Sequence, residues 1–173
     1  MTLFPPIETS PEAVREVLLP LRNDFRVAIY NSQNAFSIGA IIRVAHSFLA
    51  REIILIGNAP YYEKASMGME KYETIVGLDT EEAFFAHVAD SPLWAVEKDA
   101  GERSLFEVSE YPKDVVFLFG SERAGLPRSL LDKADEIVAI PMYGVNHSFP
   151  VTVAAGIVMC DWARRRYASG TIL

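Results

Sequence analysis

The chain has 173 residues, half of them hydrophobic and 23% charged. This excludes a disordered or low-complexity polypeptide and predicts one domain, residues 1–173, large enough to bury a single core. A net charge of −7 excludes the broad basic surface of proteins that grip nucleic acid by charge alone, while leaving room for a local patch such as Arg164-Arg165-Arg166. The single cysteine, Cys160, excludes an intrachain disulfide or a cysteine-built zinc site, and reads as a small buried helix residue.

The opening segment MTLFPPIETS has neither the positive stretch nor the apolar stretch of a secretory signal. No apolar run approaches the roughly 18–20 residues of a membrane span, so a cytoplasmic protein with no membrane partner is expected. Pro11 to Leu19 predicts a short helix capped by Ser10. FRVAIY (Phe25–Tyr30) reads as a strand, followed by the polar loop NSQNAFS. Ile38, Ile41, Ile42, Ala45 and Phe48 fall at helical spacing. EIILIG (Glu52–Gly57) is a buried strand, Tyr62–Gly68 a short helix, Thr80–Val88 a capped helix and Leu93–Val96 a strand. VVFLF (Val115–Phe119) is the most hydrophobic strand, followed by a short helix at Pro127–Leu131 and a strand at Glu136–Ile140. The last helix is expected from Ser148, as N-cap, to about Tyr167, with Pro150 in its first turn.

This alternation predicts an α/β fold: a mostly parallel sheet with helices on both faces. Ligands of such sheets bind beyond the carboxyl ends of the strands, which directs attention to the loops Asn31–Ser37, Gly120–Leu126 and Pro141–Phe149. Arg43 follows the first loop beside the apolar Ile38, Ile41 and Ile42, where an arginine is costly unless it meets an anion or polar cavity, or snorkels at the helix edge. In FLFGSERAGLP two glycines let the backbone turn and approach a ligand closely, but the Gly-Lys-Ser/Thr ending of a phosphate loop is missing. His46, His87 and His147 lack metal-ligand spacing, and no metal is expected; His46 and His87 read as helix-surface residues. No Gly-x-Ser-x-Gly elbow supports a hydrolase.

The stretches NSQNAFSIGAIIRVAHSF (Asn31–Phe48), FLFGSERAGLP and IPMYGVNHSFPVTVAAGIVM (Ile140–Met159) together resemble, in order, the three signature motifs of the SPOUT superfamily. They are most similar to its SpoU/TrmH branch of RNA 2′-O-ribose methyltransferases. The resemblance spans roughly residues 25–167. It implies a parallel α/β sheet with a C-terminal deep trefoil knot, a rare exception to the rule against knots. It also implies S-adenosylmethionine as cofactor, tRNA or rRNA as substrate, and a homodimer through the first and last helices.

Residue by residue, the resemblance implies cofactor binding by Val96, Gly120, Ser121, Glu122, Gly125, Ile140, Met142, Ser148 and Phe149. It implies catalysis by Arg43 and Ser148, and substrate contacts from Asn31, Asn34, Ser37 and Arg123, with Arg164–Arg166 as further RNA-facing cations. The chain is similar to minimal members of the branch, which lack an added N-terminal RNA-binding domain. Two positions depart from the pattern: Ser37 and Pro150 stand where the family usually has asparagine. The departures admit a non-catalytic RNA- or protein-binding relative that keeps the cofactor fold.

Overall fold

The computed structural model describes residues 9–30, 34–57, 60–101 and 103–168. Seven strands form one sheet: β1 (Arg26–Tyr30), β2 (Glu52–Ile56), β3 (Ile75–Leu78), β4 (Leu93–Val96), β5 (Arg103–Ser104), β6 (Val116–Phe119) and β7 (Glu136–Ala139). Their order is β3-β2-β1-β6-β4-β7-β5 and every pairing is parallel. The helices are α1 (Pro11–Leu18), α2 (Ala35–Ser47), α3 (Glu63–Ser66), α4 (Glu81–Val88), α5 (Arg128–Leu131) and α6 (Val151–Ala168).

The strands are apolar at consecutive positions because both sheet faces are covered. Val27, Ile29, Ile53, Leu55, Phe117 and Phe119 point into one core layer with Ile38, Ile41, Ile42 and Ala45 of α2 and Ala155, Val158, Met159 and Trp162 of α6. Their neighbours Ala28, Ile54, Ile56, Val116 and Leu118 point to the opposite layer, against Phe84 and Val88 of α4 and Leu130 and Leu131 of α5. Each fully buried Val, Leu, Ile, Met or Phe among them contributes about 1.5–3 kcal/mol. The β1–β6 pairing therefore lies at the centre of two cores, and the sheet holds the ends of β4, β6 and β7 rigidly side by side.

The α/β class and the eleven elements expected from the pattern are present. Ser10 caps α1 by accepting from Ala13 N–H, Asn34 caps α2 by accepting from Phe36 and Ser37 N–H, and Thr80 caps α4. Strands β3 and β5 went unread. The first is an edge strand with exposed Gly77 at its centre, and the second has only 2 residues, too few to carry an alternation.

Three expectations need correction. The last helix begins at Val151, not Ser148: the ring of Pro150 disfavours helical backbone at Phe149, and the first helical N–H groups, of Val153 and Ala154, bond to the Pro150 carbonyl at 2.9 and 3.0 Å. Cys160 is exposed, because the buried face of α6 is set by Ala155, Val158, Met159 and Trp162. His46 is half-buried: its Nδ1 lies 2.6 Å from Oε1 of the buried Glu73, which also pairs with Arg22 and so pins the end of α2.

Candidate active site

The loops following β4, β6 and β7 meet at the carboxyl edge of the sheet around a cavity of about 640 Å³, within the range of small-molecule pockets. Val96, Gly120, Ser121, Glu122, Gly125, Ile140, Met142, Ser148 and Phe149 all line it. Apolar walls come from Phe119, Leu126, Leu131 and Val151, and polar groups from Glu97, Lys98, Asp99 and Arg128. The segment Glu97–Ala100, beyond Val96, is a part of the lining that the motifs do not contain. Its signal was its place directly after a buried strand, where the strand-end rule also points.

The loop after β6 is shaped by close approaches that only glycine permits. The chain folds back on itself through Gly125 N–H to the Ser121 carbonyl at 2.9 Å, and Ala124 N–H reaches Ser121 Oγ at 3.2 Å. A Cβ on Gly120 would sit 2.6 Å from the Gly125 carbonyl oxygen. Gly125 has φ +63°, a left-handed conformation, and a Cβ there would lie 2.6 Å from Glu97 Oε2. That Glu97 carboxylate accepts from Leu126 N–H at 3.1 Å and Lys98 N–H at 2.9 Å. Lys98 Nζ in turn donates to the His147 carbonyl at 2.7 Å. The β4 loop thus fastens the β6 loop with one residue and the β7 loop with the next.

Helix α2 enters the site from its N-terminal end. Buried Ser37 donates through Oγ to Glu122 Oε1 at 2.5 Å, so the residue that departs from the family pattern is joined to the pocket wall. Asn34 is exposed and serves as the cap, and Arg123 is an exposed pocket-lining cation. Asn31 lies outside the described residues. Ser148 is exposed on the pocket wall rather than capping α6. Arg43 is exposed on the outer face of α2 and does not line the cavity; its carbonyl accepts from Ser47 Oγ at 3.1 Å, while its guanidinium has no ion-pair or hydrogen-bond partner among the described residues.

The cations at the end of α6 have partners within the chain. Arg164 and Arg165 bond to Asp161 at 2.9 and 2.6 Å, and Arg166 to Asp24 at 2.6 Å. Tyr111 donates to the same Asp161 carboxylate at 2.8 Å. Burial, followed by this bond, raises the Tyr111 hydroxyl well above its ordinary pKa. Burial alone would raise Asp161 too, but the bonds from Arg165, Arg164 and Tyr111 outweigh it and hold the carboxyl below its ordinary range. This cluster anchors the β5–β6 connection to α6.

The fold and pocket define an α/β protein that takes a small ligand at the carboxyl edge of a parallel sheet. Residues 24–160 match the SpoU rRNA Methylase family, and the chain belongs to it. It is 29% identical over 168 residues to the tRNA (guanosine(18)-2′-O)-methyltransferase of Thermus thermophilus, covering 94% of this chain and 86% of that one. Among solved structures it is similar to the TrmH/SpoU tRNA modifying enzyme of A. aeolicus, with TM-score 0.79, 25% identity, and coverage of 93% and 84%. It is also similar to the AdoMet-bound rRNA methyltransferase of Sinorhizobium meliloti, with TM-score 0.73 and 28% identity; 87% of this chain matches 59% of that longer protein.

Proposed function

We infer that this protein transfers a methyl group from S-adenosylmethionine to a ribose 2′-hydroxyl of tRNA or rRNA. The observation that carries the reading is the convergence, on one cavity, of all nine residues assigned to the cofactor from three separated loops. The residues fit such a ligand. Phe119, Leu126, Ile140 and Phe149 offer apolar surface for a base, and the mixed charged lining, Glu97, Asp99 and Glu122 with Lys98, Arg123 and Arg128, suits a ligand that carries both positive groups and a carboxylate. Gly120–Glu122, Ile140, Met142, Ser148 and Phe149 would hold it, with Val96 at the floor.

The cofactor supplies an electrophilic methyl group on a sulfonium, so the chain's own task is chiefly alignment. Arg43 orients and polarises the hydroxyl; a guanidinium, with a pKa above about 12, is a poor proton acceptor. Ser37 holds α2 against Glu122 and thereby fixes the helix that carries Arg43. Ser148 assists from the pocket wall, and Asn31, Asn34 and Arg123 contact the RNA. Because Arg164–Arg166 already have carboxylate partners, they lend phosphates less than three free cations would.

The active unit is a homodimer of a single-domain chain whose C-terminal segment forms a trefoil knot. The outer stripe of α6, Val153, Gly156, Ile157 and Cys160, lines an apolar groove of about 430 Å³ with Leu105 and Phe106, and Val17, Leu19 and Leu21 near α1 are exposed. Such surfaces mark protein interfaces. No helix among the described residues is long and apolar enough to cross a membrane.

The test is transfer of radiolabelled methyl from S-adenosylmethionine to unmodified bulk tRNA and rRNA, with calorimetry of cofactor binding alongside. The expected result is micromolar binding and label resistant to cleavage at the methylated ribose. Binding without label on any RNA would return the non-catalytic relative; no binding at all would refute the cofactor assignment.

A further inference from the structure

Helix α2 has an outer face that the core does not use. Phe36, Ala40, Arg43 and Ser47 lie on it at spacings of four, three and four residues. Phe36 is 61% exposed, an unusual place for a ring that size, and it stands two turns, about 10 Å, along the axis from Arg43. It is paired with a second ring: Tyr62, 46% exposed, stacks on it with centroids 6.4 Å apart and planes inclined by 28°.

The pairing is built into the backbone. Tyr62 N–H donates to the Ala35 carbonyl at 2.8 Å, and the Tyr62 carbonyl accepts from Ala65 N–H at 2.9 Å. A Cβ on Gly39 would collide with that same carbonyl oxygen, so the residue at Gly39 must be small for the Tyr62 segment to lie across the start of α2. The next residue after Phe36 is Ser37, which binds the pocket wall at Glu122. Two exposed rings are therefore held firmly on the helix that carries Arg43, at its pocket end.

We propose that the Phe36–Tyr62 pair is a stacking platform that holds a nucleobase of the RNA substrate beside the ribose presented to Arg43. The proposal rests on the RNA-methyltransferase reading and names how its substrate is gripped. Proteins that act on one nucleotide of an RNA take bases out of their stack and lay them on aromatic side chains, because every base has a face to offer. The electrostatics favour this mode here. The net charge is −7 and the densest cationic run is paired internally, so phosphate contacts supply a smaller share of the grip, and uncharged stacking a larger one.

The experiment compares Phe36→Ala and Tyr62→Ala with the ring-keeping Phe36→Tyr and Tyr62→Phe. Three quantities are read: KM for unmodified bulk tRNA, the Kd of a labelled single-stranded RNA oligonucleotide of mixed sequence, and the Kd of S-adenosylmethionine. Each alanine variant is expected to weaken both RNA values by about 5- to 100-fold, while the ring-keeping variants stay close to wild type. Cofactor Kd stays unchanged, and so does the slope of log Kd against log salt, since no phosphate contact is lost. Alanine variants with wild-type KM and RNA Kd would overturn the platform and leave the methyltransferase reading standing. Alanine variants that lose cofactor binding, or that sediment as monomers where wild type is a dimer, would overturn it by assigning the rings to the fold or to contact between copies. A wild-type protein that neither binds nor methylates RNA would remove the parent reading as well.

Discussion

The two halves of the site are held in place by different means. On the side proposed for the cofactor, the loops after β4, β6 and β7 are bonded to one another through Glu97 to Leu126 and Lys98 to His147, and the β6 loop is closed on itself through Gly125 to Ser121. On the side proposed to meet the hydroxyl, α2 is anchored by its buried face and by Ser37, while the Arg43 guanidinium projects outward with no partner among the described residues. In the proposed reaction the cofactor pocket is set before its ligand arrives, whereas a cation acting on a ribose brought by a large substrate waits exposed, because the substrate completes its surroundings.

The difference is sharpest in Arg43→Ala. It should lower kcat for RNA methylation by about 10²- to 10³-fold with cofactor Kd unchanged, read by single-turnover labelling and calorimetry. A parallel loss of cofactor affinity would mean that the two halves are one. Gly120→Ala attacks the opposite half: the added methyl has no room against Gly125, and cofactor Kd should rise roughly 30- to 100-fold. Glu97→Ala is milder, freeing Leu126 N–H without adding bulk. Cofactor Kd is expected to rise about 10-fold, with faster hydrogen exchange at Leu126, and Glu97→Gln should recover part of it, since its one amide oxygen can accept from Leu126 N–H but not from Lys98 N–H as well.

The smallest effect lies away from both halves. Asp161→Asn should lower Tm by roughly 2–6 °C at neutral pH, measured by calorimetric unfolding, by weakening the Tyr111–Arg165 anchor. Because the folded Asp161 carboxyl is held below its ordinary pKa, its contribution is fully present above the unfolded value of about 3.9. It is lost as pH falls through the lower folded value. The acid-induced loss of stability below about pH 4 should therefore be shallower in Asp161→Asn than in wild type.

Much of this was readable from the chain. The apolar runs FRVAIY, EIILIG and VVFLF announce strands buried on both faces, and Ser10, Asn34 and Thr80 announce helix starts, because caps and periodicity are local properties. Motif order pointed to the loops after β6 and β7, and both line the cavity. Errors arose where the deciding contact was distant or the local rule was misapplied. Pro150 was read as a helix residue although its effect on Phe149 was already present in the sequence. Cys160 reads as buried because its neighbours are apolar, whereas the direction of each helix face is set by what it packs against.

By itself, then, the sequence determined the α/β class, the boundaries of eleven elements to within a few residues, and two of the three loops of the pocket, those after β6 and β7, all from short-range pattern. Only the tertiary structure decided that Glu97 and Lys98 fasten those loops, that Ser37 reaches Glu122 across 85 positions of chain, and that Arg164–Arg166 are paired rather than free. It alone brought Phe36 and Tyr62 ring to ring. Each of these is a contact between residues far apart in the chain, and the sheet that joins β1, β4, β6 and β7 is what makes them neighbours.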